Sequence, residues 1–325
     1  MDYHHRNDLC NSSASPGCSS IGAGAFSEHG PFRPSGDILV RNSYSWNKEA
    51  NVLYLESPAG VGFSYSANKS FYDSVNDELT AQDNLVFLER WFTKFPEYNG
   101  REFFITGESY AGHYVPQLAN LIIQSKAKFN LKGIARLPLQ LLTIWVDNVR
   151  GPRPTIIAHI ASNSDTDKID VCVEDETIKY LNRKDVQQAF HARLIGVTTW
   201  GICSEVVKYD MQNLEIPTIH VLGVLLKSGI RVLVYSGDQD SVIPLIGTRT
   251  LVNGLAKELG LNTVVPYSAW FEGRQVAGWT QVYGEALSFA TIRGASHEAP
   301  FSQPKRSLVL LTSFLAGKPL PEALS

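Results

Sequence analysis

A serine on a tight turn directly after a buried strand constrains the fold of this 325-residue chain more than any other feature. The strand-like stretch FFIT leads into GESYA, and a helical pattern begins immediately afterwards. The small residues Gly107 and Ala111 allow the chain to double back, so that the hydroxyl of Ser109 stands clear of the backbone. The same turn directs the N–H of Tyr110 towards an oxygen that becomes negative during acyl transfer. Alone, the motif is a weak indication, because a capping serine in an ordinary turn gives the same pattern.

Aspartate and histidine residues follow two later predicted strands. Asp238 and Asp240 come directly after the apolar stretch IRVLVYSG, and His297 lies on a loop of small residues after SFATIRG. A lone residue of either type at such a position is usually a helix cap or a solvated side chain. Here the three residue types all follow strands, in the chain order serine, aspartate, histidine that is typical of α/β-hydrolases. Together they indicate a serine nucleophile with a histidine base.

Predicted strands alternate with predicted helices along most of the chain. The strand patterns lie at 51–56, 103–106, 230–237 and 288–294, and the helix patterns at 74–95, 115–122, 182–191, 248–260 and 303–319. Asp77 and Asn182 are the predicted N-caps of two of these helices. The alternation predicts a single α/β domain over 1–325, with a mixed, mostly parallel sheet covered by helices on both faces. The stretch 136–161 is apolar, broken by prolines and not periodic, so no element is assigned to it.

The composition excludes several other classes of protein. A net charge of −3 provides no basic surface for nucleic acid, and the apolar stretches are too short to span a membrane. The histidines lack metal-binding spacings and the glycines lack a dinucleotide-binding pattern, so no metal or cofactor is expected. The first 18 residues contain no apolar region of the kind found in secretory signals. The aromatic side chains of AWFEGRQVAGW fit a substrate pocket or the core equally well.

Six segments together resemble plant-type serine carboxypeptidases. They read PGCSSIGAGAFSEHGPF, NVLYLESPAGVGFSYS, FFITGESYAGHYVPQLA, VLVYSGDQDSVIPLIGTR, AWFEGRQVAGW and TIRGASHEAPFSQP, and they span 16–135 and about 169–321. The resemblance implies the α/β-hydrolase fold, with Ser109 as nucleophile, Asp240 as acid and His297 as base. It also implies release of C-terminal residues from peptides and proteins through an acyl-enzyme, favoured at acid pH.

The resemblance also assigns a role to Glu108 and Glu28, which would bind the terminal carboxylate of the substrate. Three carboxyl groups in a poorly solvated site cannot all be charged, so at least one pKa must rise. Relatives that resemble acyltransferases carry aspartate before the serine. Glu108 therefore favours a peptidase, and an acyltransferase remains the alternative.

The chain departs from the family pattern in two places. Where the family reads NGGPGCSS, this chain reads SASPGCSS, so Ser15 would have to supply the second oxyanion N–H beside Tyr110. The apolar strand expected before this segment has no counterpart in the polar residues 1–15, and 136–164 replaces the start of a helical lid. The sequence thus predicts incomplete N-terminal strands and a reduced lid. A catalytically impaired relative is therefore a further alternative.

The four cysteines are far apart and form no CxxC pair, which argues against a zinc ribbon. The resemblance implies a disulfide between Cys18 and Cys203, with Cys172 free or mispaired with Cys10. It also implies a secreted or vacuolar protein, or a mislocalised one if no leader is present. Asn68 lies in a glycosylation sequon, and the sequence makes no prediction of the oligomeric state.

Overall fold

The computed structural model describes residues 16–125, 127, 129–139, 142–146, 170, 172–194 and 199–322. The strands are β1 (Phe32–Ser35), β2 (Ile38–Arg41), β3 (Asn51–Tyr54), β4 (Phe103–Ser109), β5 (Leu131–Leu139), β6 (Leu142–Val146), β7 (Arg231–Gly237), β8 (Thr263–Glu272), β9 (Gln275–Tyr283) and β10 (Leu287–Ile292). The α-helices are α1 (Asp77–Lys94), α2 (Ala111–Gln124), α3 (Val173–Leu181), α4 (Lys184–Ala189), α5 (Ile219–Lys227), α6 (Leu245–Glu258), α7 (Ala299–Ser302) and α8 (Pro304–Ala316).

Eight of the described strands form one sheet in the order β3-β6-β4-β5-β7-β10-β9-β8. Six of them run in the same direction, and β6 and β9 run antiparallel to their neighbours. The prediction of a mixed, mostly parallel sheet is therefore confirmed. Strands β1 and β2 form a separate antiparallel pair.

Helices cover both faces of the sheet, and the alternation along β7 shows how. Val232 and Val234 point into a cluster with side chains of α1, α2, α5 and α6. Leu233 and Tyr235 point into a second cluster that includes Leu310 of α8. Successive side chains of a strand face opposite sides, so a continuous apolar strand buries both of its faces. The predicted coverage by helices on both faces is confirmed.

Both predicted N-caps are wrong, because each lies one residue away from the observed N-cap. The side chain of Asn76 accepts the N–H of the third residue of α1, and Asp77 is the first helical residue instead. Asn182 ends α3, and its Oδ1 accepts the N–H of Trp200 at 2.8 Å. Helix α4 then starts after Arg183. Local sequence favours these polar residues near a helix start, but it does not show which tertiary partner they bind.

The stretch without a predicted element contributes to the middle of the sheet. Strand β5 runs through it as far as residue 139, and β6 lies between β3 and β4, antiparallel to both. Positions 147–164 of the predicted replacement segment lie outside the described residues. The hairpin of β8 and β9 was also not predicted. Within it Trp270 is fully buried and its Nε1 donates to the carbonyl of Thr291 at 2.9 Å, so this side chain belongs to the core.

Candidate active site

Ser109 ends β4 in a conformation that serine seldom adopts. Its φ is +58°, in the left-handed region where a Cβ atom is crowded. The next residue is already helical, and α2 begins at Ala111. A strained residue of this kind persists only where the surrounding structure holds it, and such residues concentrate at functional sites. The geometry matches the turn that the sequence predicted.

His297 bridges Ser109 and Asp240. Its Nε2 lies 2.8 Å from Oγ of Ser109, and its Nδ1 lies 3.0 Å from Oδ2 of Asp240. Ser109 is the last residue of β4, and Asp240 and His297 follow β7 and β10; the carboxyl ends of these three strands meet at one edge of the sheet. The structure therefore brings together the serine, aspartate and histidine that the sequence singled out. The order of these contacts, from serine to histidine to aspartate, is the one that activation of a serine hydroxyl requires.

Asp240 is oriented by backbone groups of its own turn. Its Oδ1 accepts the N–H groups of Val242 and Ile243 at 2.8 and 2.9 Å, which leaves Oδ2 for His297. Burial acts to raise the pKa of Asp240, but the hydrogen bonds from His297 and from these N–H groups outweigh it and lower the pKa. The carboxylate is therefore charged at neutral pH and holds the Nδ1 proton of the imidazole.

Asp238, the other candidate aspartate, binds the backbone of the histidine loop. Its Oδ1 accepts the N–H of Gly294 at 2.7 Å. The same loop packs against the end of β7, where a Cβ on Gly237 would lie 2.3 Å from the carbonyl oxygens of Ala295 and Ser296. Glycine is required there because the loop approaches the strand so closely. Asp238 and Gly237 thus place the loop, and Asp240 contacts the imidazole.

The first turn of α2 has an unusual hydrogen-bond partner. Pro116 has no N–H, so the carbonyl of Gly112 lacks its ordinary helical donor. Nη1 of Arg136 and Oγ1 of Thr218 donate to this carbonyl instead, at 2.8 and 2.9 Å. Arg136 is buried, and burial lowers its pKa to about 10. The N–H of Tyr110 lies at this helix start, whereas Ser15 lies outside the described residues.

Glu28 and Glu108 are both buried beside the serine turn. Burial raises the pKa of Glu28 to about 7, against the lowering influence of Glu108 and Arg33. Burial, and then the charge of Glu28, raise the pKa of Glu108 well above its ordinary value. Apart from the contact between the two carboxyl groups themselves, no described group donates a hydrogen bond to either carboxyl oxygen of Glu28 or to Oε1 of Glu108. Two neutral carboxyl groups are hydrogen-bond donors, so the pair is suited to an anionic partner.

Two further carboxyl groups lie near this pair and were not predicted. Burial, followed by the charges of Glu28 and Glu174, raises the pKa of Glu298 to about 8. Burial also raises the pKa of Glu174, which is in the first turn of α3. Glu298 directly follows His297 in the sequence, and this adjacency is the signal that could have indicated its place near the site. Its burial depends on contacts that the local sequence does not reveal.

Glu28 is held by the segment that carries it. It ends a π-helical stretch, Ser20–Glu28, and its carbonyl accepts from Nη2 of Arg33 and Nδ2 of Asn42 at 2.7 and 3.0 Å. A disulfide joins Cys18, just before this stretch, to Cys203. The predicted disulfide is therefore present, and it fixes the chain that leads to Glu28. Cys172 is exposed and has no disulfide partner among the described residues, and Cys10 lies outside them.

The family model for serine carboxypeptidase matches residues 15–136 and 147–317. This chain belongs to the serine carboxypeptidase family. The family model leaves only positions 137–146 unmatched between its two segments, which is a narrower gap than the replacement segment 136–164 expected from the sequence. Strand β6 lies within this unmatched part.

Curated plant proteins from Arabidopsis thaliana support the same membership. The chain is 53% identical to serine carboxypeptidase-like 45 and 50% identical to serine carboxypeptidase-like 46, covering 94% of this chain and 82% and 81% of those proteins. It is 37% identical to serine carboxypeptidase 24, over 95% of this chain and 82% of that protein. The first alignment spans 376 residues, more than the length of this chain, so that relative has residues without a counterpart here.

A solved structure of another protein shows the same fold. It is that of Kex1(delta)p, a prohormone-processing carboxypeptidase from Saccharomyces cerevisiae. The TM-score is 0.64 with 20% sequence identity, and the match covers 93% of this chain and 81% of that one. The α/β-hydrolase fold predicted from the order of serine, aspartate and histidine is confirmed. None of the described helices is long and apolar enough to cross a membrane.

Proposed function

We propose that this protein is a serine-type carboxypeptidase that releases C-terminal residues from peptides through an acyl-enzyme on Ser109. The observation that carries the proposal is the position of His297, within hydrogen-bond distance of both Ser109 Oγ and Asp240. This chain of contacts adjoins the buried pair Glu28 and Glu108, which suits a terminal carboxylate. Family membership points to the same class of substrate.

The reaction begins when Nε2 of His297 takes the proton of Ser109 Oγ as that oxygen attacks the last peptide carbonyl. Asp240 stabilises the imidazolium that forms. The N–H of Tyr110 donates to the negative oxygen of the tetrahedral intermediate, and the proposed second donor is the N–H of Ser15, which lies outside the described residues. His297 then donates its proton to the leaving amino group, so the C-terminal amino acid departs. Water, deprotonated by His297, hydrolyses the acyl-enzyme and restores Ser109.

Recognition of a free C-terminus requires neutral carboxyl groups in the pair. Protonated Glu28 and Glu108 donate hydrogen bonds to the substrate carboxylate, whereas an ionised Glu28 repels it. Because the pKa of Glu28 is raised to about 7, this binding is strong below that pH and weakens as the pH rises through it. The raised pKa values of Glu108 and Glu298 act in the same direction. We therefore propose that acid pH favours the activity.

The first experiment asks whether Ser109 is activated. A fluorophosphonate probe should label the wild-type protein and leave Ser109→Ala unlabelled, because the probe reacts only with an activated serine. The wild type should also hydrolyse a blocked dipeptide, and Ser109→Ala should not. Hydrolysis by Ser109→Ala, purified identically, would refute the assignment of the nucleophile.

The same measurements separate the alternative functions. A wild type that is not labelled is an inactive relative. This alternative rests on Ser15, which stands where the family pattern has glycine. A wild type that is labelled but transfers acyl groups from glucose esters, and does not hydrolyse peptides, is an acyltransferase. Glutamate at position 108 favours the peptidase over the acyltransferase.

The second experiment tests the carboxylate-binding pair. We measure kcat/KM at several pH values for a peptide and for its C-terminal amide. Glu108→Gln should reduce the preference for the free acid, and Glu89→Gln, on the exposed face of α1, serves as the control. An unchanged preference in Glu108→Gln over the whole pH range would show that this carboxyl does not recognise the C-terminus.

We also propose that the protein matures in the secretory pathway and is secreted or vacuolar. The disulfide between Cys18 and Cys203 needs an oxidising compartment. Asn68, in the sequon Asn68-Lys69-Ser70, is exposed and accessible for glycosylation. Digestion of plant-expressed protein with an endoglycosidase should lower its mass. Asn68→Gln should reduce that shift by the mass of one glycan, because Asn11-Ser12-Ser13 is a second sequon. Unmodified Asn68 in secreted protein would contradict the site.

A further inference from the structure

The carboxylate of Asp77 binds four side chains at once. Its Oδ1 accepts from the hydroxyls of Tyr110 and Tyr209 at 3.0 and 2.5 Å, and its Oδ2 accepts from Nδ1 of His113 and Nε2 of Gln117 at 3.0 and 2.8 Å. Two oxygens of a carboxylate offer about four acceptor positions, so the group is saturated. Only 5% of Asp77 is exposed. A buried charge of this kind is stable because every acceptor position is used.

Three of these four donors belong to the start of α2. Tyr110, His113 and Gln117 follow one another at helical spacing, so they lie on one face of the helix. The rings of Tyr110 and His113 also stack, with centroids 4.8 Å apart. Asp77 itself starts α1, and its N–H donates to Oδ1 of Asn213 at 2.7 Å. The carboxylate of Asp77, at the start of α1, therefore binds side chains from the first two turns of α2.

Tyr110 connects this contact to the proposed reaction. It follows Ser109, whose φ of +58° requires support from neighbouring structure, and its ring is fully buried. The side chain hydroxyl is held by Asp77, and the backbone N–H of the same residue is the proposed oxyanion donor. Rotation of the Tyr110 peptide would therefore both tilt that N–H and shift Ser109.

We propose that Asp77 is a positioning residue for the nucleophile turn, acting through the hydroxyl of Tyr110. Asp77 holds Tyr110 so that its N–H and Ser109 Oγ keep the geometry that acyl transfer requires. This inference rests on the proposed function, since it concerns the same serine. Activity of this kind is sensitive to small displacements, and a misplacement of about 1 Å can cost about 100-fold in rate.

The two tyrosines provide a matched pair of variants. Tyr110→Phe and Tyr209→Phe each remove one hydroxyl from Oδ1 of Asp77, but only Tyr110 adjoins Ser109. The readouts are the second-order rate constant for fluorophosphonate labelling and the midpoint of thermal unfolding. A purely structural role predicts that both variants lose thermal stability while labelling continues at the wild-type rate. Positioning predicts that only Tyr110→Phe also loses labelling rate.

We expect labelling to slow about 10-fold in Tyr110→Phe and about 100-fold in Asp77→Asn, and to change less than about threefold in Tyr209→Phe. Equal labelling rates for the two tyrosine variants would overturn the proposal, even if Asp77→Asn failed to fold. A wild type that is labelled but does not hydrolyse peptides would contradict the proposed function alone, and the positioning role would still be measured. A wild type that is not labelled has no activated serine to position and overturns both.

Discussion

The guanidinium of Arg136 donates to the carbonyl of Gly112, a backbone oxygen that a proline four residues later leaves without a helical donor. Oγ1 of Thr218 donates to the same oxygen and accepts from Arg136. The three groups form a closed, buried network at the first turn of α2. An unsatisfied buried polar group is costly, so the network stabilises the turn that follows Ser109.

Thr218→Val should therefore destabilise the protein. Valine keeps the shape but removes a donor to Gly112 and an acceptor of the Arg136 guanidinium, and we expect a loss of about 1–3 kcal/mol in the free energy of unfolding. The control is Thr250→Val, since the hydroxyl of Thr250 bonds to a carbonyl of its own helix and is exposed. Urea unfolding measures both, and equal losses in the two variants would contradict the network's contribution.

Asp240→Asn should lower kcat far more than Asp238→Asn. An asparagine at 240 leaves the turn intact but favours the wrong imidazole tautomer, and the loss should be about 1,000- to 10,000-fold. Asp238 binds the backbone of the histidine loop at Gly294 rather than the imidazole, so its variant should lose stability and retain most of kcat. Steady-state kinetics on a blocked dipeptide distinguishes the two. A comparable loss of kcat in both variants would mean that loop placement, not imidazole orientation, limits the reaction.

The order of serine, aspartate and histidine could be read from the sequence because the carboxyl ends of parallel strands meet at one edge. Asp77 could not be read in this way. Its sequence context predicted a helix cap, whereas its partner Tyr209 is 132 residues distant and is brought to it by the fold. Glu298 could not be predicted either, since its raised pKa depends on burial and on the charges of Glu28 and Glu174, which are distant in the sequence. Local patterns predict strand ends well, but they do not predict which polar groups become buried together.

The secondary structure of the stretch 136–161 could not be predicted for a different reason. Its apolar residues have neither a clean period of two nor one of 3.6, and prolines interrupt it. Strand β6 is nevertheless formed, because both of its edges pair with β3 and β4. Arg136, at the beginning of the stretch, belongs to the segment 136–164 that the sequence predicts to replace the start of a lid. It lies within the family match and donates to Gly112.

The free energy of unfolding should depend on pH through Glu28. Its pKa is about 7 in the folded protein and about 4.5 when the chain is unfolded, so folding favours the protonated form. The stabilisation is complete below pH 4.5 and is lost as the pH rises through about 7. Glu28→Gln should flatten this part of the pH profile relative to the wild type, and Glu89→Gln should not. Unchanged slopes between pH 5 and 8 in Glu28→Gln would show that another group titrates.

The disulfide should make a large contribution to stability. Cys18 and Cys203 are 185 residues apart, and on the chain-entropy account a loop of this length is worth about 5 kcal/mol, less any native strain. Backbone hydrogen bonds flank it, from Ser19 to Ile202 and from Ser204 to Gly17. Cys203→Ser should therefore lower the unfolding midpoint strongly, and loosening of the segment that leads to Glu28 should weaken recognition of the free C-terminus.

Cys172→Ser is the matched control for this prediction, because Cys172 is exposed and outside the disulfide. Its unfolding free energy should stay within about 0.5 kcal/mol of the wild type, as for most surface substitutions. Denaturant unfolding without reductant compares the two variants, and peptide mapping without reduction verifies the bond in the wild type. If Cys203→Ser is no less stable than Cys172→Ser in protein whose disulfide has been mapped, the bond does not stabilise the fold. If Cys203→Ser also keeps the wild-type preference for a free acid over an amide, the position of Glu28 does not depend on the disulfide.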